Sequence, residues 1–297
     1  MISGTARVVV FLWIFASILL APHEAVAQGA LSQIREDVRT PSAPAAESEG
    51  KSSSHGNAHK RCHHAYACDC DDDDDNWFGS LFWKAGVAIV GAPIWIPVTI
   101  AHDDYSSAGY FPEYPYQDGI DGYMMIDPWL PSIPFSHSLQ VRTEYADDFD
   151  SISRIGTRIL FDTTTRFGID SEVNYWRESL GGGQHDDHWT GDANLVFRFA
   201  QSERIQMRTG LGVNWLADEV GSDFGFNFTY QGDFFPAEPW IISAEVDLGS
   251  LGDETLVHAR ITTGLQWHRA EVFIGYDYFE VDQTELSGLV SGVRLWF

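Results

Sequence analysis

The chain has 297 residues, of which 44% are hydrophobic and 14% aromatic, and it carries a formal net charge of −25. That acidity excludes a nucleic-acid-binding role and argues against docking on an anionic lipid surface, since both repel a strongly negative protein. Its three cysteines, Cys62, Cys68 and Cys70, fall in one short stretch, so no disulfide framework supports a main domain.

Residues 1–27 read as an export signal: Arg7, then the apolar run "VVVFLWIFASILL" (8–20), then the small residues "AVA" (25–27) before Gln28. An uncleaved anchor is the alternative. Residues 28–75 read as a disordered tether, rich in Ser, Ala, Pro, Glu and Gly up to residue 60, that ends in a His/Cys cluster and an acidic run. Within the cluster, Cys62, His63, His64, Cys68 and Cys70 offer thiolate and imidazole donors suited to copper or zinc. The spacing C-x5-C-x-C follows no established zinc pattern, and a disulfide with one leftover thiol is the competing outcome in an oxidising compartment.

Residues 76–103 form an apolar block. Its core, "WFGSLFWKAGVAIVGAPIWIPVTIA" (77–101), is long enough to cross a bilayer but is interrupted by Lys84, Pro93 and Pro97. An interfacial helix or one packed on the main domain is expected. Residues 104–136 are a Pro- and Tyr-rich linker, expected to be extended or turn-like.

From 137 to 297 one pattern repeats ten times. Leu139, Val141, Thr143 and Tyr145 alternate with Gln140, Arg142 and Glu144; Val257, Ala259, Ile261 and Leu265 alternate with His258, Arg260, Thr262 and Gly264. Such period-two alternation means strands with one apolar and one polar face. The polar face carries Arg142, Glu144, Arg158, Asp170, Glu172, Arg198, Arg208, Glu245, Asp247, Arg260, Asp277 and Arg294. No lysine follows Lys84, whereas a water-facing sheet usually recruits lysine. Arginine suits paired carboxylates in a confined interior.

Strands of about eleven residues tilted near 45° rise roughly 25 Å, the height of the apolar band of a transmembrane barrel. Trp176, Trp215, Trp240, Trp267 and Trp296 stand near strand ends, where an interfacial girdle is expected. Short and longer connectors alternate, and an even strand count puts both ends of the barrel on the side of the short ones. The longer connectors are acidic and are expected to hold divalent cations that bridge them to the membrane.

The final run "GLVSGVRLWF" resembles the last strand of bacterial outer-membrane β-barrels, with Leu289, Val293, Leu295 and Phe297 in the matching positions. The resemblance implies a closed, antiparallel, up-and-down transmembrane barrel of about ten strands in the outer membrane, with lipid around it. It also implies a periplasmic N-terminal extension and a terminal signal read by the barrel-assembly machinery. The expected role is structural, interactive or that of a narrow pore, and non-enzymatic. The alternative is a soluble periplasmic barrel that binds an apolar ligand, with the same apolar set turned inward.

A third reading rests on "HDDH" (185–188). Ten-stranded outer-membrane proteases, which the chain resembles in strand number, carry acidic and histidine groups above the membrane. Asp186, Asp187 and His188 would be the hydrolytic site. A solvated acidic connector is the plainer expectation.

Overall fold

Period-two alternation becomes a barrel when the last strand pairs with the first. The structure, a computed structural model, describes residues 29–39, 93–103, 105–126 and 135–297. Helix α1 (Ala30–Arg39) comes first, then helix α2 (93–101), then a two-residue pair, β1 (Gly109–Tyr110) and β2 (Met125–Ile126). The barrel strands are β3 (His137–Asp147), β4 (Ile152–Thr163), β5 (Phe167–Leu180), β6 (Gln184–Gln201) and β7 (Ile205–Ala217). They continue with β8 (Ser222–Ala237), β9 (Trp240–Leu251), β10 (Glu254–Trp267), β11 (Ala270–Val281) and β12 (Thr284–Trp296). Each pairs antiparallel with its sequence neighbours, and β12 returns to β3 to close the ring. Phe297 and Leu139 seal that seam by exchanging backbone hydrogen bonds of 2.8 and 3.0 Å.

The alternation sorts the two faces as expected. Leu195, Leu211 and Ile169 point outward and are 62%, 57% and 59% exposed, and Leu289, Val293, Leu295 and Phe297 share that outer face. All twelve charged residues assigned to the polar face are buried inside.

Two expectations need correction. The strands run from 11 to 18 residues, and the longest, β6, begins at Gln184, so "HDDH" lies on a strand and not in a connector. Trp176 and Trp296 face inward and are 4% and 0% exposed, because strand parity and not nearness to a strand end sets direction. Trp240 and Trp267 are exposed on the outside.

The barrel has two unlike mouths. The β3–β4, β5–β6, β7–β8, β9–β10 and β11–β12 turns surround the distal mouth; the other four turns and both barrel ends surround the terminal mouth. Composition assigns Ala30–Arg39 to a disordered tether, yet it is helical. Leu31, Ile34 and Val38, spaced three and four apart, share one face. That face is buried at the distal mouth against Trp176, Leu216, Leu251, Phe279 and Val281. Gly252, at φ 60°, is required there: a Cβ would stand 2.5 Å from the Val38 carbonyl oxygen.

Residues of the linker cover the terminal mouth. Phe111, Tyr123 and Met124 are fully buried against Phe235, Ile241 and Trp296. Among the described residues, no helix is long and apolar enough to cross a membrane, a statement that does not bear on strands. The expected export signal, the His/Cys cluster with Cys62, His63, His64, Cys68 and Cys70, and most of the apolar block lie outside the described residues.

Candidate functional site: an ion-paired lumen with two closures

Strand parity aims a long polar side chain into the lumen from almost every strand, and they meet there in two networks. In the network nearer the distal mouth, Arg154 bonds Glu144 at 2.7 Å and Asp277 at 3.0 Å. Arg142 reaches Glu172 at 2.7 Å and crosses the lumen to Glu245 at 3.2 Å. Arg260 reaches Glu172 and Asp277, both at 2.8 Å, and Arg158 pairs with Asp170 and with Glu245. His258 bonds Asp277 at 3.0 Å. Glycine on the same face makes room for these groups: a Cβ at Gly156 would stand 2.9 Å from an Arg154 guanidinium nitrogen.

The second network lies nearer the terminal mouth. Asp162 receives Arg198 at 2.6 Å and Arg208 at 2.9 Å, and Asp233 receives Arg208 at 2.8 Å and Arg294 at 3.1 Å. Between the networks is a void of about 10 Å³ lined by Arg142, Arg158, Asp233, Ser243, Glu245 and Arg260. Such a space admits about one water molecule. Eight-stranded barrels are filled by side chains and open aqueous channels need about sixteen strands, so a packed interior at ten strands is what size dictates.

Each mouth is latched by charge. At the distal mouth the Glu178 carboxylate, fully buried on β5, accepts the backbone N–H groups of Gly29, Ala30 and Leu31 at 2.7, 3.2 and 3.1 Å. These are orphan donors at the helix start, and a carboxylate suits the positive end of the helix dipole. Arg35 pairs with Asp186, and Arg39 donates to Asp218 at 2.9 Å and Asp223 at 2.8 Å. The Arg39 hydrogen bond holds the Asp218 carboxyl well below the usual carboxylate range.

At the terminal mouth Asp103 accepts two hydrogen bonds from Arg166, at 2.6 and 2.8 Å, and one from the Gln201 backbone at 3.0 Å. Burial opposes the charge on Asp103, but Arg166 and the surrounding N–H donors outweigh it and lower the pKa. The Tyr116 hydroxyl donates to the Trp240 carbonyl.

Among the described residues, no hydrogen bond joins the candidate hydrolytic His188 to Asp186 or Asp187. Asp186 faces α1, where Ser32 donates to it at 2.7 Å; Asp187 faces outward and accepts from Tyr175 at 3.2 Å; His188 points into the barrel. Alternation puts Asp186 and Asp187 on opposite faces of β6. Three of the carboxylates expected in acidic connectors already have partners: Asp218 and Asp223 pair with Arg39, and Asp148 accepts from the backbone N–H groups of Asp150, Ser151 and Ile152. Among the described residues, no three His, Cys, Asp or Glu side chains are arranged to hold a metal ion.

The sequence pattern identified twelve of the buried inward charges and missed Arg154, Asp162, Glu178, Asp233 and Glu271, which follow the same parity. It also missed α1. The available signal was Leu31, Ile34 and Val38 with Arg35 and Arg39 at helical spacing. Comparison with protein-family profiles found no match, and comparison with curated proteins found none either.

Proposed function

We propose that the protein is an integral β-barrel of a bacterial outer membrane with a closed lumen, serving a structural or interaction role and not general diffusion. One observation carries this reading: the barrel is inverted, with apolar side chains exposed around its outside and ion-paired arginines and carboxylates buried within. Exposing such a belt to water costs about 25 cal/mol for each Å² of apolar surface, a cost that lipid removes. A soluble barrel around an apolar ligand needs an apolar lumen, and this lumen is charged.

A narrow pore is the second reading. It is favoured by α1 being a separate element held at the rim by ion pairs. Opening it would also require the two lumen networks to separate, because the void between them is no wider than a water molecule.

Cell fractionation with planar-bilayer recording tests both. The protein should enter the outer-membrane fraction, migrate faster on gels before boiling than after, and leave a bilayer non-conducting at neutral pH. Recovery in the soluble periplasmic extract would overturn the membrane reading, and steady conductance at neutral pH would overturn the closed lumen.

A further inference from the structure

Beneath α1 sits a histidine that neither network uses. His188 faces inward from β6 and is fully buried, and neither ring nitrogen has a hydrogen-bond partner among the described residues. Its register partner Trp176 lies against it, with ring centroids 6.5 Å apart. The charged groups that reach it are Arg35 from α1, Asp186 and Asp187 from its own strand, and Asp218 from the β7–β8 turn. Glu178, two residues beyond Trp176 on β5, holds the start of the helix.

An unpartnered buried imidazole is tolerable while neutral; charging it there is far more costly. A proton on His188 would place a second cation near Arg35. It would also draw on Asp186 and Asp218, the carboxylates that anchor Arg35 and Arg39. With α1 undocked the ring meets water and takes a proton at the ordinary value near 6.5. The open mouth therefore binds a proton that the closed mouth refuses, so acid favours opening.

We propose that α1 is an acid-releasable plug and that His188 is its trigger. The open-to-closed ratio rises as pH falls through about 6.5, by about fivefold over the first unit and approaching the tenfold-per-unit slope of one linked proton below that. Release uncovers an apolar cup formed by Trp176, Leu216, Leu251 and Phe279 with the Glu178 carboxylate at its wall. The proposal concerns the distal mouth alone and does not depend on the barrel lying in a membrane.

Hydrogen exchange of the full chain in detergent micelles tests it, following the amides of Ile34–Arg39 from pH 7.5 to 5.0 with intrinsic rates divided out. In the unaltered protein, protection should fall by about tenfold to twentyfold between pH 6.5 and 5.0. In His188→Phe it should stay level, and His188→Gln provides the same comparison if phenylalanine prevents folding. Asp218→Asn should lower protection at every pH, which establishes that these amides report docking. Level protection in the unaltered protein, or an equal fall in the histidine variants, would overturn the proposal.

Discussion

Arg260 touches carboxylates on four strands: Glu144 on β3, Glu172 on β5, Glu245 on β9 and Asp277 on β11. A buried pair adds little net stability, because desolvation offsets attraction, but removing one partner strands the others. Arg260→Leu should therefore cost about 3–5 kcal/mol, read from urea unfolding in lipid vesicles. Arg260→Lys should restore only part of it, since one ammonium cannot replace a planar fork of donors. A loss within error of zero for Arg260→Leu would mean that the network does not hold the lumen shut. At this scale the sequence was legible wherever parity applied: Arg142 and Arg260 could be placed inside from their neighbours alone. Trp176 and Trp296 were legible by the same rule, since they share parity with Glu172 and Arg294, but nearness to a strand end was read in its place.

At the scale of the element, α1 shows how composition hides a helix. A tether-like average over residues 28–60 conceals a stretch whose apolar residues share one face, and a short isolated helix is marginal in water. Its stability comes from a partner surface, namely the distal mouth, and that surface could not be seen in the local sequence. Acid acts on this contact with a definite sign. The Asp218 carboxyl is held below its usual range by Arg39, so it contributes stability that is complete above about pH 4 and is lost as pH falls further. Asp37 has the opposite sign: burial, and then the neighbouring Asp282, raise its pKa, so protonating it relieves a cost. Asp218 has the stronger contacts, and α1 should therefore loosen below about pH 4 even in His188→Phe. Exchange of the α1 amides between pH 5 and 3 measures this; protection that held constant to pH 3 would refute the latch.

At the scale of the whole molecule, the two closures lie on opposite mouths. Gln33 is exposed on α1 at the distal mouth, and Asp118 is exposed in the cover of the terminal mouth. If the barrel spans a membrane, only one of the two sites faces the outside of the cell, so the N-terminal extension does not lie wholly in the periplasm as the resemblance implies: α1 stands at the mouth opposite the barrel ends. A cysteine placed at Gln33 or Asp118, with Cys62, Cys68 and Cys70 changed to serine, should react with an impermeant maleimide in intact cells at Gln33 and not at Asp118. Equal labelling at both would contradict the sidedness. Ten strands, an even count and the division of connectors between two rims were all legible in the sequence, because each follows from period two and turn chemistry. The closure of both mouths was not, because it depends on segments whose partners are more than a hundred residues away, such as Leu31 and Glu178.

The central claim is that the outward apolar face meets lipid, and Leu211 tests it most directly. It lies on the outer face of β7 and is 57% exposed. An arginine there enters hydrocarbon if the barrel is in a membrane, and enters water if it is not. Unfolding of Leu211→Arg in lipid vesicles should show a loss of about 2–4 kcal/mol relative to the unaltered protein. A variant as stable as its parent, at a site so exposed, would contradict the account.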